Sequence, residues 1–201
     1  RVGLGDNTVF GIHGSETIDV GGGNNMMEAG DGANTFTVGP AGFGNNVSMA
    51  GSGVVTITVG SGDNYIDAGV GTIGANTITV GPTGSGNNTI LGSDGIDTIV
   101  VGNGNNDIEA GDGANTITAG PTGFGNNRII SGDGIDTITT GNGDNCIDAG
   151  SVGANTIAAG SGNNVIIAGC GIDTITVGNG NKLIDAGSLG AKTVTTGRGK
   201  N

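Results

Sequence analysis

Apolar and polar residues alternate along this chain in short bursts that recur at a nearly fixed interval. In Thr35-Phe36-Thr37-Val38 and Thr77-Ile78-Thr79-Val80 every second residue is apolar, the period-2 signature of a strand with one buried face. Gly-rich runs separate the bursts, and Gly supplies the positive φ that tight turns need without a Cβ clash. Aligned on the apolar residue at the centre of each burst, the column reads Val9, Ile18, Met27, Phe36, Ser48, Ile57, Ile66, Ile78, Ile90, Ile99, Ile108, Ile117, Ile129, Ile138, Ile147, Ile157, Ile166, Ile175, Ile184, Val194. These are twenty units at steps of nine, occasionally ten or twelve. Four positions earlier every unit has Gly, from Gly5 to Gly190; two positions earlier thirteen have Asn and three Asp.

Nine residues are too few for a helical repeat. A short strand and a Gly turn, taken twice, close one coil of about 18 residues, so the twenty units predict ten stacked coils. At a strand spacing of ~4.8 Å the rod is roughly 48 Å long. Its core is expected to be two facing columns of Ile, with small Ala or Val beside them. Every fourth unit matches best, giving superrepeats of 39, 42, 39 and 37 residues (Ile18, Ile57, Ile99, Ile138, Ile175). Inserts such as G-P-T-G-F-G, with Pro40, Pro82 and Pro121 at the same place, read as loops on one edge of the stack. Residues 1–201 thus form a single all-β repeat domain, a β-solenoid without internal linkers.

Composition narrows the function classes. The 47 Gly and 3 Pro bring the chain to the edge of low complexity, but with only 12% charged residues it is not a coil held open by charge. No run of 18 apolar residues is present, so no membrane span is expected. A net charge of −12 with six Lys and Arg excludes nucleic acid as the expected partner. Two Cys make no disulfide framework; Cys146 is expected outward on one face and Cys170 in a turn, too far apart to bridge. Without an initiator Met, basic n-region or apolar h-region, the chain reads as a mature or excised segment.

Ser131-Gly132-Asp133-Gly134-Ile135-Asp136-Thr137-Ile138-Thr139 resembles the repeats-in-toxin (RTX) calcium-binding nonapeptide G-G-x-G-x-D-x-U-x, where U is a large aliphatic residue, at all but the first position. The resemblance runs through nearly the whole chain. It implies a right-handed parallel β-roll and an extracellular or cell-surface protein, usually bacterial. The family's catalytic or toxic domains have no counterpart here, so no activity is implied.

In that family the Asp of G-x-D coordinates calcium between turns, helped by carbonyls of the Gly loops. Here only Asp97, Asp136 and Asp173 keep the acid, and Asn fills most other places. Asn offers a neutral carbonyl, a poorer calcium ligand than a carboxylate, but it can form an amide ladder that satisfies buried polar groups without metal. Lys182 and Lys192 in the same column oppose a cation. The expectation is a mostly metal-free Asn ladder. Calcium is the one candidate cofactor, at few sites, where acids pair: Asp94 with Asp97 and Asp133 with Asp136, with Asp173 as the remaining acid.

Odd and even units differ, so the two faces differ. On one face the outward residue before the apolar column is Thr in all ten rungs: Thr17, Thr35, Thr56, Thr77, Thr98, Thr116, Thr137, Thr156, Thr174, Thr193. The residue after it is Thr in seven: Thr37, Thr58, Thr79, Thr118, Thr139, Thr176, Thr195. The opposite face alternates acids (Glu28, Asp67, Glu109, Asp148, Asp185) with outward apolar residues (Phe10, Met49, Leu91, Ile130, Ile167). That apolar stripe is either covered by the Pro inserts, with Phe43 and Phe124 folding over it, or left for lateral contact with another copy.

Two functions follow as expectations. The first is an extracellular structural module of a fibre, surface layer or adhesin, self-associating laterally or, through uncapped terminal coils, end to end. The second is ice binding, because the paired threonine files resemble the T-x-T arrays of insect β-solenoid antifreeze proteins; Thr is also simply a good strand former. No enzyme is expected. His13 is the sole imidazole and has no partner constellation, and Asp107 and Glu109 point outward on one strand. The G-x-G-x-x-G at Gly69–Gly74 precedes a strand, whereas the nucleotide fingerprint must open a helix.

Overall fold

The computed structural model describes residues 2–69 and 73–200, and in them every regular element is a β-strand. Most strands are short, and Gly-rich turns separate them. At Gly113 the backbone takes φ +138°, and a Cβ there would lie 1.6 Å from the Gly95 carbonyl oxygen of the preceding coil. Only Gly meets both demands, the left-handed conformation and the close approach. The turn column of the sequence is therefore a stacking requirement as well as a turning one.

The strands assemble into two ten-stranded parallel sheets, whose members alternate along the chain. One, the threonine sheet, runs from Thr17–Val20 through such strands as Val55–Ser61 and Thr137–Asn142 to Lys192–Thr196. The other, the mixed sheet, runs from Thr8–Phe10 through Asp107–Glu109 to Lys182–Asp185. Each coil contributes one strand to each sheet. Coil 1 holds Val9 and Ile18, coil 5 Ile90 and Ile99, and coil 10 Ile184 and Val194. The pairing follows the sequence column: Ile90 opposes Ile66 and Ile108, and Ile99 opposes Ile78 and Ile117.

Between the sheets lie the two files of Ile, with Ala68, Ala110 and Ala149 beside one and Val59, Val80 and Val101 beside the other, all but fully buried. Each buried Ile contributes about 1.5–3 kcal/mol, and no coil could bury its pair without neighbours. Ser48 interrupts the mixed-sheet file as a defect: it is buried, and its hydroxyl has no hydrogen-bond partner among the described residues.

The inserts behave as edge features. Asn34–Phe43, Thr77–Ser85 and Thr116–Phe124 prolong strands of the threonine sheet and rejoin the next coil after a register shift, at Phe43 with Ser61, Ser85 with Asn103 and Phe124 with Asn142. They do not reach the mixed sheet. Phe43 and Phe124 are 83% and 79% exposed, so the expectation that they fold over the apolar stripe is corrected. The inserts remain hydrogen-bonded to the threonine-sheet edge, and that tether holds both rings away from the stripe.

Candidate functional site

Each edge of the solenoid carries one inner polar stack, and the two differ in charge. Along the edge entering the mixed sheet, Asn7, Asn25, Asn46, Asn64, Asn88, Asn106, Asn127, Asn145 and Asn164 form an all-amide ladder. Asn88 is representative. Its Nδ2 donates to Asn106 Oδ1 at 2.8 Å and to the Gly86 carbonyl at 3.0 Å, and its backbone N–H donates to the same Oδ1 at 3.2 Å. Each amide thus satisfies its own turn and the next coil without any added group.

Outside it runs a second ladder. From Asp6 to Asn181 the residue one position earlier accepts a backbone N–H from the next coil, as when Asn126 N–H donates to Asn105 Oδ1 at 2.8 Å and Asp144 N–H to Asn126 Oδ1 at 2.8 Å. This exposed file was not singled out from the sequence, although the repeated Asn-Asn pairs were its signal.

The edge entering the threonine sheet alternates instead. Asn76, Asp97, Asn115, Asp136, Asn155 and Asp173 are buried in succession. Asn76 N–H donates to Asp97 Oδ1 at 2.7 Å, Asp97 N–H to Asn115 Oδ1 at 2.9 Å, and Asn115 N–H to Asp136 Oδ1 at 2.8 Å. The second carboxylate oxygen needs a further donor. Asp97 Oδ2 receives Ser93 N–H at 3.2 Å, Asp136 Oδ2 the Ser131 hydroxyl at 2.7 Å, and Asp173 Oδ2 the Lys192 ammonium.

On the surface beside them Asp94, Asp112 and Asp133 stack, each Oδ1 accepting a backbone N–H from the following coil (Asp112, Asp133 and Ser151). Burial pushes the Asp97 and Asp136 carboxyls above the ordinary 3.8. Hydrogen bonds from Asn76 and Ser93, and from Asn115 and Ser131, oppose that rise, while Asp94 adds to it at Asp97, and Asp112 and Asp133 add to it at Asp136.

Calcium chemistry can be weighed on these residues. Asp97 and Asp136 are buried carboxylates held by neutral donors, beside further carboxylates and glycine carbonyls. This hard-oxygen, net-negative setting fits calcium in charge and donor type. Among the described residues no three acidic, His or Cys side chains gather on one point, so a calcium ion there would draw most of its oxygens from backbone carbonyls and water. At Asp173 the residues do not fit: the Lys192 ammonium is already on the carboxylate.

Lys182 and Lys192 belong to different stacks. Lys182 ends the all-amide file, its ammonium donating to the carbonyls of Gly180, Gly197 and Arg198 at 2.5, 3.2 and 3.0 Å.

The threonine face is assembled in register, Thr98 with Thr116, Thr116 with Thr137 and Thr118 with Thr139. The first file is exposed at every rung but Thr35, and the second, including Thr37, Thr58, Thr79 and Thr139, is mostly half-buried by its neighbours. Asp19, Val100 and Ala158 interrupt the second file.

On the mixed sheet Met49, Leu91 and Ile130 are half-buried between acidic rungs, and Phe10 and Ile167 are 62% and 41% exposed. The Asp107 and Glu109 carboxylates both meet Arg128, at 2.6 and 3.0 Å. A larger apolar row, unremarked in the sequence, lies on the adjoining turn: Val54, Ile96, Ile135 and Ile172 are 54–67% exposed. Cys146 and Cys170 are free, and His13 is exposed in a bend. Of the Gly69–Gly74 motif, Val70, Gly71 and Thr72 lie outside the described residues; Ile73–Gly74 pairs as a short strand with Asp94–Gly95, opening no helix.

A family model described as RTX calcium-binding nonapeptide repeat (4 copies) matches residues 2–27, 11–40, 40–72, 82–120, 121–152 and 150–184. Neither a curated protein nor a solved structure matches the chain.

Proposed function

The chain belongs to the RTX calcium-binding nonapeptide-repeat family, and from that premise we propose that it is an extracellular structural module, a rigid β-roll segment of a fibre, surface layer or adhesin that packs side to side with further copies. Proteins built from these repeats are typically secreted or displayed at bacterial surfaces, and their repeat domains are typically structural rather than catalytic. No helix among the described residues is long and apolar enough to cross a membrane.

The observation that carries the reading is the exposed aliphatic row Val54, Ile96, Ile135, Ile172, 54–67% accessible on alternate coils. Ala75, Ala114 and Ala154 stand between them. Monomeric proteins seldom expose such a row. Its knobs are about 9.6 Å apart, twice the strand spacing, a period that a second copy shifted by one coil matches knob to gap. Sedimentation velocity and negative-stain microscopy test this. The wild-type chain should assemble and the Ile96→Ser/Ile135→Ser/Ile172→Ser variant should stay monomeric; a wild-type chain monomeric at every concentration overturns the reading.

Calcium acts in this reading as a cofactor that offsets the buried charge of Asp97 and Asp136. Saturating calcium should raise the melting temperature by about 5 °C or more over chelator, and an unchanged melting curve removes calcium from the account.

The threonine face supports a second reading, ice binding. Among the described residues nothing covers its two in-register files of hydroxyls and methyls. Thermal hysteresis is the discriminating measurement, and its absence at high concentration ends this reading.

A further inference from the structure

The three acids of the alternating stack occupy equivalent positions, yet their second oxygens are served differently. Five residues before Asp136 stands Ser131, whose hydroxyl donates to Asp136 Oδ2 at 2.7 Å. Five residues before Asp173 stands Ala168, whose side chain has no donor and whose N–H is taken by the Asp185 carbonyl. In its place Lys192, from the next coil, carries its ammonium to Asp173 Oδ2 and to the Gly169 carbonyl at 2.9 Å. The Asp173 side chain is fully buried and that of Lys192 only 16% exposed.

A monocation held between coils by a buried carboxylate and a turn carbonyl is in the position and oxygen environment that a free cation would need. Lys182, whose ammonium sits among three backbone carbonyls, ends the neighbouring stack in the same coil.

We infer that Lys192 is a tethered counter-ion: it fills the inter-coil cation position at Asp173, holds coil 10 to coil 9 without metal, and, when removed, leaves a site for a divalent cation such as calcium. This deepens the calcium reading of Asp97 and Asp136 and rests on it only for the identity of the cation. The chain then has two kinds of segment, central coils whose acids respond to calcium and a lysine-locked segment at coils 9 and 10 that does not.

Hydrogen exchange on the full chain, with chelator and with calcium chloride, tests the inference amide by amide. In chelator, Lys192→Met should speed exchange in Asp173–Val177 and Lys192–Thr196 about a hundredfold or more, because a buried carboxylate loses its partner. Calcium should restore the protection. In the wild type those amides should not respond to calcium.

The Asp173→Asn/Lys192→Met variant, which recreates the amide found at Asn115 and Asn155, should be protected in chelator and indifferent to calcium. Unchanged exchange in Lys192→Met, or faster exchange that calcium fails to slow, overturns the inference. If calcium protects Lys192→Met at coils 9 and 10 while the wild-type amides around Asp97 and Asp136 ignore it, the tethered counter-ion stands and the central calcium sites fall.

Discussion

The two polar stacks occupy the same place in their respective units, on backbones of the same pattern, and from coil 4 to coil 9 they differ in one atom type at every second rung. Where every member is Asn, donors and acceptors balance: Nδ2 and Oδ1 are both used within the stack, as between Asn88 and Asn106. Where Asp alternates with Asn, each carboxylate brings acceptors only, and a donor must come from Ser93 or Ser131 beside the stack or from Lys192 at its last rung. An amide ladder is complete in itself, whereas an acid in the same slot creates a demand for protons or cations. The demand for an added cation in this fold is thus a matter of which rungs carry an unbalanced acceptor.

The sharpest break of this contrast is Asn106→Leu. It strips the acceptor from Asn88 N–H and Nδ2 and the donor from the Gly102 and Gly104 carbonyls. A loss of about 3–5 kcal/mol in urea unfolding is expected, with no rescue by calcium.

Next in size, Asp97→Asn/Asp136→Asn should convert the alternating stack toward the self-sufficient kind. It should gain about 1–2 kcal/mol in chelator at neutral pH and lose any calcium response of the central coils. The pH dependence has a definite sign. Both acids have folded-state values raised above 3.8, so the native state holds protons more tightly than the unfolded chain. Their destabilising effect is fully present at neutral pH and disappears as pH falls through the folded value toward 3.8. The double variant should lack that slope in unfolding free energy measured against pH.

A smaller effect, about 1 kcal/mol, is expected from Ser131→Ala, which removes the hydroxyl donor to Asp136; chemical unfolding in chelator measures it, and calcium should offset part of the loss. Smallest is Asn105→Ala in the outer ladder. Its Oδ1 accepts Asn126 N–H at an exposed position, where water takes its place, so a change under about 1 kcal/mol is expected by the same measurement.

Much of this was readable in advance. The column from Val9 to Val194 pairs as aligned, with Ile66, Ile90 and Ile108 in one file and Ile78, Ile99 and Ile117 in the other. The amide ladder was legible from Asn recurring two positions before the aliphatic residue. Less legible were the outer Asx ladder, the aliphatic row at Val54, Ile96, Ile135 and Ile172, and the separation of Lys182 from Lys192. A repeat alignment places these in columns without saying which edge of the rod each column occupies or how far a long side chain reaches into the next coil.

What the sequence determined is everything that depends on period. Gly every nine residues, with one aliphatic residue and one amide at fixed offsets, admits a single repeating solution, because each coil can bury its Ile pair and satisfy its Asn only against a copy of itself. What the tertiary structure decided are the exceptions to the period. The ammonium of Lys192 lies on Asp173, the inserts stay with the threonine sheet, and Phe43 and Phe124 face solvent. Those outcomes turn on how far a long side chain reaches and on where the inserts hydrogen-bond, neither of which the repeat fixes, so only the three-dimensional packing could select them.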